Sequence, residues 1–165
     1  MLFRSRVICI GAPADRLEIA ARWGADSTLD FLATTGEERA QAVRDLSEGR
    51  GADLVVECSG AAAAFEEGFD LVRRGGRYLI LGQADPRPSR IHATNINLRQ
   101  LTVLGTISAD VSHYRRAVTF IDDNAGRFDF EALLGTSYHL DQVNDALEAM
   151  RGAVEPKPVI VPAGG

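Results

Sequence analysis

The reactive side chains of this chain are few, and their spacing decides what each is able to do. Cys9, Cys58, His92, His113 and His139 show none of the CxxC or HxxxH spacings that gather ligands around one tetrahedral ion. They are expected to be two buried core thiols and three surface or half-buried histidines, with no metal. Asp110, Ser112 and His113 fall within four successive residues, a packing that denies a nucleophile and its base a shared geometry. No hydrolase chemistry follows from them. Glu57 closes an apolar run and would be costly if buried alone, so it should meet a donor or face a cleft; it reads as a structural carboxylate. Gly49-Arg50-Gly51 follows a helical pattern and lacks a third glycine, so it is no dinucleotide-binding turn. What remains is a set of glycines that close apolar runs: Gly60, Gly82 and Gly105. Glycine in such a place either lets backbone approach a ligand closely or merely ends a strand.

The elements that must position these residues alternate. Val7 to Ile10 is a short apolar run ending at Gly11, and Pro13 opens a helical segment with Leu17, Ala20, Ala21 and Gly24 on one face. A weaker strand signal covers Ser27 to Phe31. Thr35 and Glu38 have the spacing of a capping box ahead of Ala40, Val43 and Leu46. Leu54-Val55-Val56 is apolar throughout, as expected of a parallel strand covered on both faces, and Cys58-Ser59-Gly60 marks its end. Phe65, Phe69 and Val72 suggest the next helix, Arg74-Gly75-Gly76 a helix-to-strand turn, and Tyr78 to Leu81 the next strand. Residues 85–89 read as a rigid surface loop before a strand at Leu101 to Gly105. Two helical stripes follow, Val111, Tyr114, Val118, Ile121 and then Val143, Ala146, Leu147, Met150, before a last strand between Pro158 and Pro162.

Strands and helices in this rhythm give an α/β fold: a mainly parallel, doubly wound sheet with right-handed crossovers, whose ligands bind at the carboxyl ends of the strands. A formal charge of −5 with scattered Lys and Arg leaves no electrostatic footprint for nucleic acid or an acidic membrane. The apolar runs are far short of a membrane span and residues 1–6 are no secretory signal, which places the chain in the cytoplasm.

The stretches Val7 to Asp26, Gly51 to Gly60, Arg74 to Gly82, Leu101 to Thr106 and Tyr138 to Met150, with the closing Lys157 to Val161, resemble the zinc-dependent alcohol dehydrogenase superfamily of medium-chain dehydrogenases. No single stretch is specific; their order and spacing are. The resemblance implies a Rossmann sheet ordered 3-2-1-4-5-6 that this chain enters at strand 2. It is then an incomplete doubly wound sheet lacking its first strand, its glycine-rich turn and the catalytic domain. Residues 1–108 would be the partial dinucleotide-binding domain, and residues 109–165 a helix and strand tail that in the family returns to the catalytic domain.

By the same resemblance, Cys58, Ser59 and Gly60 lie beside the adenosine ribose of NAD or NADP. Leu81, Gly82 and Gln83 lie beside the nicotinamide ribose, and Thr106 and Ser108 near the carboxamide. Gly11 stands where NAD-using relatives carry an acid for the adenosine 2′-hydroxyl. Its lack of charge permits a 2′-phosphate, for which Arg16 either supplies the cation or simply faces solvent or pairs with Asp15. Lys157 either approaches the pyrophosphate or is solvated. The family's zinc ligands have no counterpart here.

The implied function is therefore the C-terminal part of an NAD(P)-dependent, zinc-type alcohol or polyol dehydrogenase, inactive alone, from a shortened or split gene or an excised piece. The alternative is a non-catalytic nucleotide-binding or interaction module. An unrelated enzyme of similar sheet, such as a methyltransferase, has no place for the tail after Gly105. Loss of a central strand leaves its neighbours to pair with each other or expose backbone groups. The chain should thus be a marginal monomer that forms a homo-oligomer, aggregates or complements an N-terminal half.

Overall fold

The computed structural model of the chain describes residues 5–82, 88–152, 155 and 157–162. It is an α/β structure whose strand pairings are all parallel. Strand β1 (Ile8–Gly11) leads through Pro13, the N-cap, into α1 (Ala14–Arg22). This helix buries Leu17 and Ile19. The expected stripe is corrected, since Ala21 and Gly24 are exposed. An alanine methyl gains little from burial, and α1 turns its two large aliphatic residues inward instead. Strand β2 (Ser27–Asp30) pairs with β1 from Ile8↔Ser27 to Gly11↔Asp30.

Helix α2 (Gly36–Asp45) starts at the expected capping box: the Thr35 amide donates to Glu38 Oε2 at 2.7 Å, and the Glu38 amide to Thr35 Oγ1 at 3.3 Å. Strand β3 (Ala52–Glu57) and α3 (Ala62–Leu71) follow, and β4 (Val72–Ile80) begins at once. Val72 thus opens a strand rather than closing a helix. Arg74-Gly75-Gly76 is not a turn before β4 but a bulge within it: Ala52 pairs with Val72, and Leu54 already with Arg77. Gly75, at φ 68°, lets the looped-out residues return to register. The proline-containing stretch at 85–89 lies mostly outside the described residues.

A short helix α4 (Ala93–Leu98), unannounced by the sequence, precedes β5 (Thr102–Gly105). Helix α5 (Val111–Asn124), β6 (Ser137–His139), α6 (Val143–Arg151) and β7 (Val159–Val161) complete the order, with 3-10 turns at Phe130–Leu133 and Leu140–Gln142.

The chain divides into two compact units, Met1–Leu32 with Asp110–Gly165, and Ala33–Ala109. In the first, β1 and β2 form one two-stranded sheet, and β6 and β7 another. Trp23 packs on Phe128 and Phe130 at ring distances of 5.4 and 5.5 Å, tying the first strand-helix-strand to the tail. Every residue of the α5 stripe is exposed, and α6 buries only Ala146.

In the second unit the sheet order is β3-β4-β5. Its core centres on Tyr78, which has no exposed surface, stands edge-on to Phe69 at 4.9 Å and donates its hydroxyl to the Phe65 carbonyl at 2.8 Å. The expectation that β3 is covered on both faces is corrected: Leu54 and Val56 are 52% and 43% exposed. No helix of the second unit's described residues lies over them. Among the described residues β1 pairs only with β2, and β3 only with β4, so each keeps one free edge.

Candidate functional site at the strand ends

Parallel register brings the carboxyl ends of the second unit's strands level. Glu57 pairs with Ile80, and Ile80 with Gly105. The predicted residues Cys58, Ser59, Gly60, Leu81, Gly82, Thr106 and Ser108 all lie just beyond that line. Gln83 lies outside the described residues.

Glu57 organises the first two of these segments. Its carboxylate Oε1 accepts from the Ser59 amide at 2.7 Å, the Ser59 hydroxyl at 2.5 Å and the Gly60 amide at 2.9 Å. Its carbonyl accepts from the amides of Leu81 at 2.8 Å and Gly82 at 3.0 Å. The side chain is buried, and the donors expected of it are present. Gly60 adopts φ 72°, and a Cβ on Gly82 would lie 2.6 Å from Gly60 Cα, so the two segments touch where no side chain fits. Beyond β5 the Thr106 amide donates to the Ile80 carbonyl at 3.1 Å. Ser108 takes the left-handed φ of 59°, and the Cβ position of Gly105 opens to empty space.

Burial pushes the Tyr78 hydroxyl well above its ordinary value, with the negative charges of Glu57 and Glu67 adding to the effect. It stays a neutral donor. Cys58 corrects the expectation of two buried thiols: it is exposed just past the strand end, whereas Cys9 is half-buried and its thiol is pushed up by desolvation. The apolar run that suggested burial stops at Val56, and the segment after Glu57 turns outward.

Gly11 and Arg16 belong to the other unit. Gly11 ends β1 opposite Asp30, a carboxylate that sequence reasoning missed because only the pairing register sets it there. The Phe31 amide donates to the Gly11 carbonyl at 2.9 Å. Arg16 is exposed on the first turn of α1. Its amide donates to Asp15 Oδ1 at 2.8 Å, while its guanidinium reaches the Glu155 carbonyl at 3.2 Å. Lys157 is exposed.

The Asp110, Ser112, His113 group is a helix cap. Asp110 Oδ1 accepts from the Ser112 amide and hydroxyl and the His113 amide, and the Asp110 amide donates to His113 Nδ1 at 3.3 Å. A shallow groove of about 630 Å³ on α5, lined by His113, Arg116, Phe120 and Asn124 among others, contains none of the strand-end residues. Among the described residues no three His, Cys, Asp or Glu side chains converge, so the donors present do not fit a zinc ion.

Known proteins are similar to this chain in sequence and fold. A family profile described as zinc-binding dehydrogenase matches residues 2–123. The 5-exo-hydroxycamphor dehydrogenase of Pseudomonas putida is 32% identical over 155 residues, which is 93% of this chain and 43% of that protein. An alcohol dehydrogenase structure from Thermotoga maritima superposes with a TM-score of 0.86 at 34% identity, covering 96% of this chain and 43% of that one. A zinc-binding dehydrogenase from Sinorhizobium meliloti, solved bound to NADP, superposes with a TM-score of 0.80 at 26% identity, over 96% and 45% of the two chains. The chain thus spans less than half the length of these relatives. With the profile match covering most of its residues, the chain belongs to the zinc-binding dehydrogenase family.

Proposed function

We propose that this chain is the cofactor-holding part of an NAD(P)-dependent, zinc-type alcohol or polyol dehydrogenase, inactive alone and completed by an N-terminal half. The observation that carries the reading is the level line of strand ends in the second unit, with Gly60, Gly82 and Gly105 at the carboxyl edge of one parallel sheet. Ligands of such sheets bind there. Cys58 to Gly60 serve the adenosine ribose, Leu81 to Gln83 the nicotinamide ribose, and Thr106 and Ser108 the carboxamide. Residues 1–108 act as the dinucleotide-binding part and residues 109–165 as a segment that packs on the completing half. A nicotinamide cofactor, when bound, supplies the hydride chemistry, and these residues hold and orient it.

NADP is accommodated because position 11 carries no carboxylate to repel a 2′-phosphate, and the Sinorhizobium meliloti relative is bound to NADP. Arg16 holds the Glu155 carbonyl with one guanidinium nitrogen, and its other N–H donors are available to that phosphate. Cys9 and Cys58 form no disulfide, which fits the reducing cytoplasm, and no helix among the described residues is long and apolar enough to cross a membrane. The free edges of β1 and β3 support a partner that completes the sheet, either the N-terminal half or a second copy.

The test is calorimetry with NAD, NADP and ADP-ribose, together with turnover assays on a panel of alcohols and polyols, with and without an N-terminal half taken from a relative. Weak nucleotide binding and no turnover by the chain alone, with both rising in the mixture, is expected. Turnover by the chain alone overturns its inactivity. Sub-millimolar binding that never leads to turnover in the mixture favours the non-catalytic nucleotide-binding module.

A further inference from the structure

We infer that Glu57 is the positioning residue of the adenosine side of this site: its side chain and its backbone together clamp residues 58–60 against residues 81–82. The inference rests on the cofactor reading above.

A carboxylate with 6% of its residue surface exposed is an expensive thing to keep, and among the described residues no cation pairs with it: Arg39 and Arg73 go to Glu67 and Asp53. An apolar residue would pack the end of β3 at lower cost. What an apolar residue cannot do is gather three donors on one oxygen. Glu57 Oε1 takes the Ser59 amide, the Ser59 hydroxyl and the Gly60 amide, while its carbonyl takes the Leu81 and Gly82 amides. Charge-assisted bonds of this kind are the strong ones, and three of them fix a short loop that otherwise has Gly60 as a free pivot at φ 72°. The second oxygen, Oε2, lies against the Cα of Gly82, where a Cβ would collide with it. Glu57 thus holds both loops, through opposite ends of the same amino acid.

The clamp also changes what Ser59 can do. Its hydroxyl proton goes to Glu57, and its oxygen accepts from the Ala61 amide at 3.1 Å. Ser59 therefore links the loop to α3 and does not offer its proton to a ribose hydroxyl. The ligand-facing groups of this loop are those of Cys58 and the backbone. Binding that requires two loops to be held in one geometry loses affinity when either is freed, because the ordering entropy is then paid on binding.

The experiment uses the whole chain as wild type, E57A, E57Q and S59A, with two NMR readouts: amide hydrogen exchange at Ser59, Gly60 and Gly82, and shift titration with ADP-ribose. In E57A, exchange at Ser59 and Gly60 is expected to speed up at least about tenfold, the size of one lost charge-assisted bond, and ADP-ribose binding to weaken about tenfold. E57Q keeps a carbonyl acceptor but not the charge, and is expected to restore part of both. Exchange at Val43, on α2, does not change. Should E57A fail to fold, S59A removes a single link and is expected to speed exchange at Gly60 and Ala61 several-fold. Unchanged exchange at Ser59 and Gly60 in E57A, or at Gly60 and Ala61 in S59A if E57A does not fold, overturns the clamp. Faster exchange with unchanged ADP-ribose affinity overturns its positioning role. A wild-type chain whose 58–60 and 81–82 signals do not respond to ADP-ribose overturns the cofactor reading itself, and the exchange data still decide the clamp.

Discussion

Arg39 and Glu67 meet as a two-pronged ion pair, Nε to Oε1 at 2.7 Å and Nη2 to Oε2 at 2.6 Å, with 5% and 13% of their side chains exposed. The pair joins α2 to α3, and the remaining guanidinium nitrogen donates to the Thr34 carbonyl and hydroxyl. The arrangement is fully satisfied but intolerant of half-removal, because either partner alone would be a buried charge without its counterion. R39A or E67A should each cost about 3 kcal/mol in urea unfolding, while the apolar double variant R39M/E67L should come close to wild type. Single variants within about 0.5 kcal/mol of wild type would show that water reaches the pair freely.

Gly68 lies under Tyr78 so closely that a Cβ there would sit 2.9 Å from the tyrosine Cε2 and nearer still to Cζ and the hydroxyl. Glycine to alanine inside a helix ordinarily stabilises by about 1 kcal/mol. Here the sign should reverse, with G68A destabilising by about 1 to 3 kcal/mol through overpacking. Y78F keeps the shape and loses only the bond to the Phe65 carbonyl, about 1 kcal/mol. Thermal melts that rank Y78F below G68A in stability would contradict this packing.

Glu38 is held below its ordinary value of 4.5, first by the backbone amide of Thr35 and then by its hydroxyl, and Asp53 is held below 3.8, first by its hydrogen bond from Arg73. A carboxyl depressed on folding adds stability that is fully present above its unfolded value and drains away as pH falls through its folded one. The urea midpoint should therefore be flat near neutrality and decline only as pH drops through the ordinary carboxylate range. T35A should reduce the acid-side slope, since it removes the hydroxyl partner of Glu38. An equal slope in wild type and T35A, measured from neutral pH to about pH 3, would count against the capping box as its source.

Much of this was legible because it is local. Thr35 and Glu38 are three residues apart, and a capping box needs nothing else. The strands that end in Gly60, Gly82 and Gly105 announce themselves through apolar runs closed by glycine. Helix α4 was not legible, since Ala93-Thr94-Asn95-Ile96-Asn97-Leu98 is built of modest helix formers and spans under two turns. Strand β6 was missed because three residues carry no period, and its pairing with β7 is set by contacts distant in sequence. Gly75 and Gly76 read equally well as a turn or a bulge, and only the register of β4 on β3 separates the two. At the site, the strand-end positions were readable from spacing. That Asp30 stands opposite Gly11 was not, because it is a statement about neighbours in the sheet.

The sheet of the second unit has one finished face and one bare one. In-register neighbours share a face, so Val55, Tyr78 and Val103 lie together under α3, and Val56, Leu79 and Leu104 lie together on the opposite side. On that side Leu54, Val56 and Leu104 are between 43% and 52% exposed, beside the unpaired edge of β3. An apolar face next to an open strand edge is a template for another chain, and natural edges are commonly guarded by lysine. Wild-type protein should therefore show a weight-average mass that rises with concentration in sedimentation velocity, and a melt that depends on concentration. V56K and L104K place a charge on the bare face without touching Tyr78, and should return the protein toward monomer. If an N-terminal half completes the sheet by covering this face, the same lysines should also weaken its capture. A sharp, reversible melt independent of concentration, unchanged by V56K, would mean that the bare face recruits nothing.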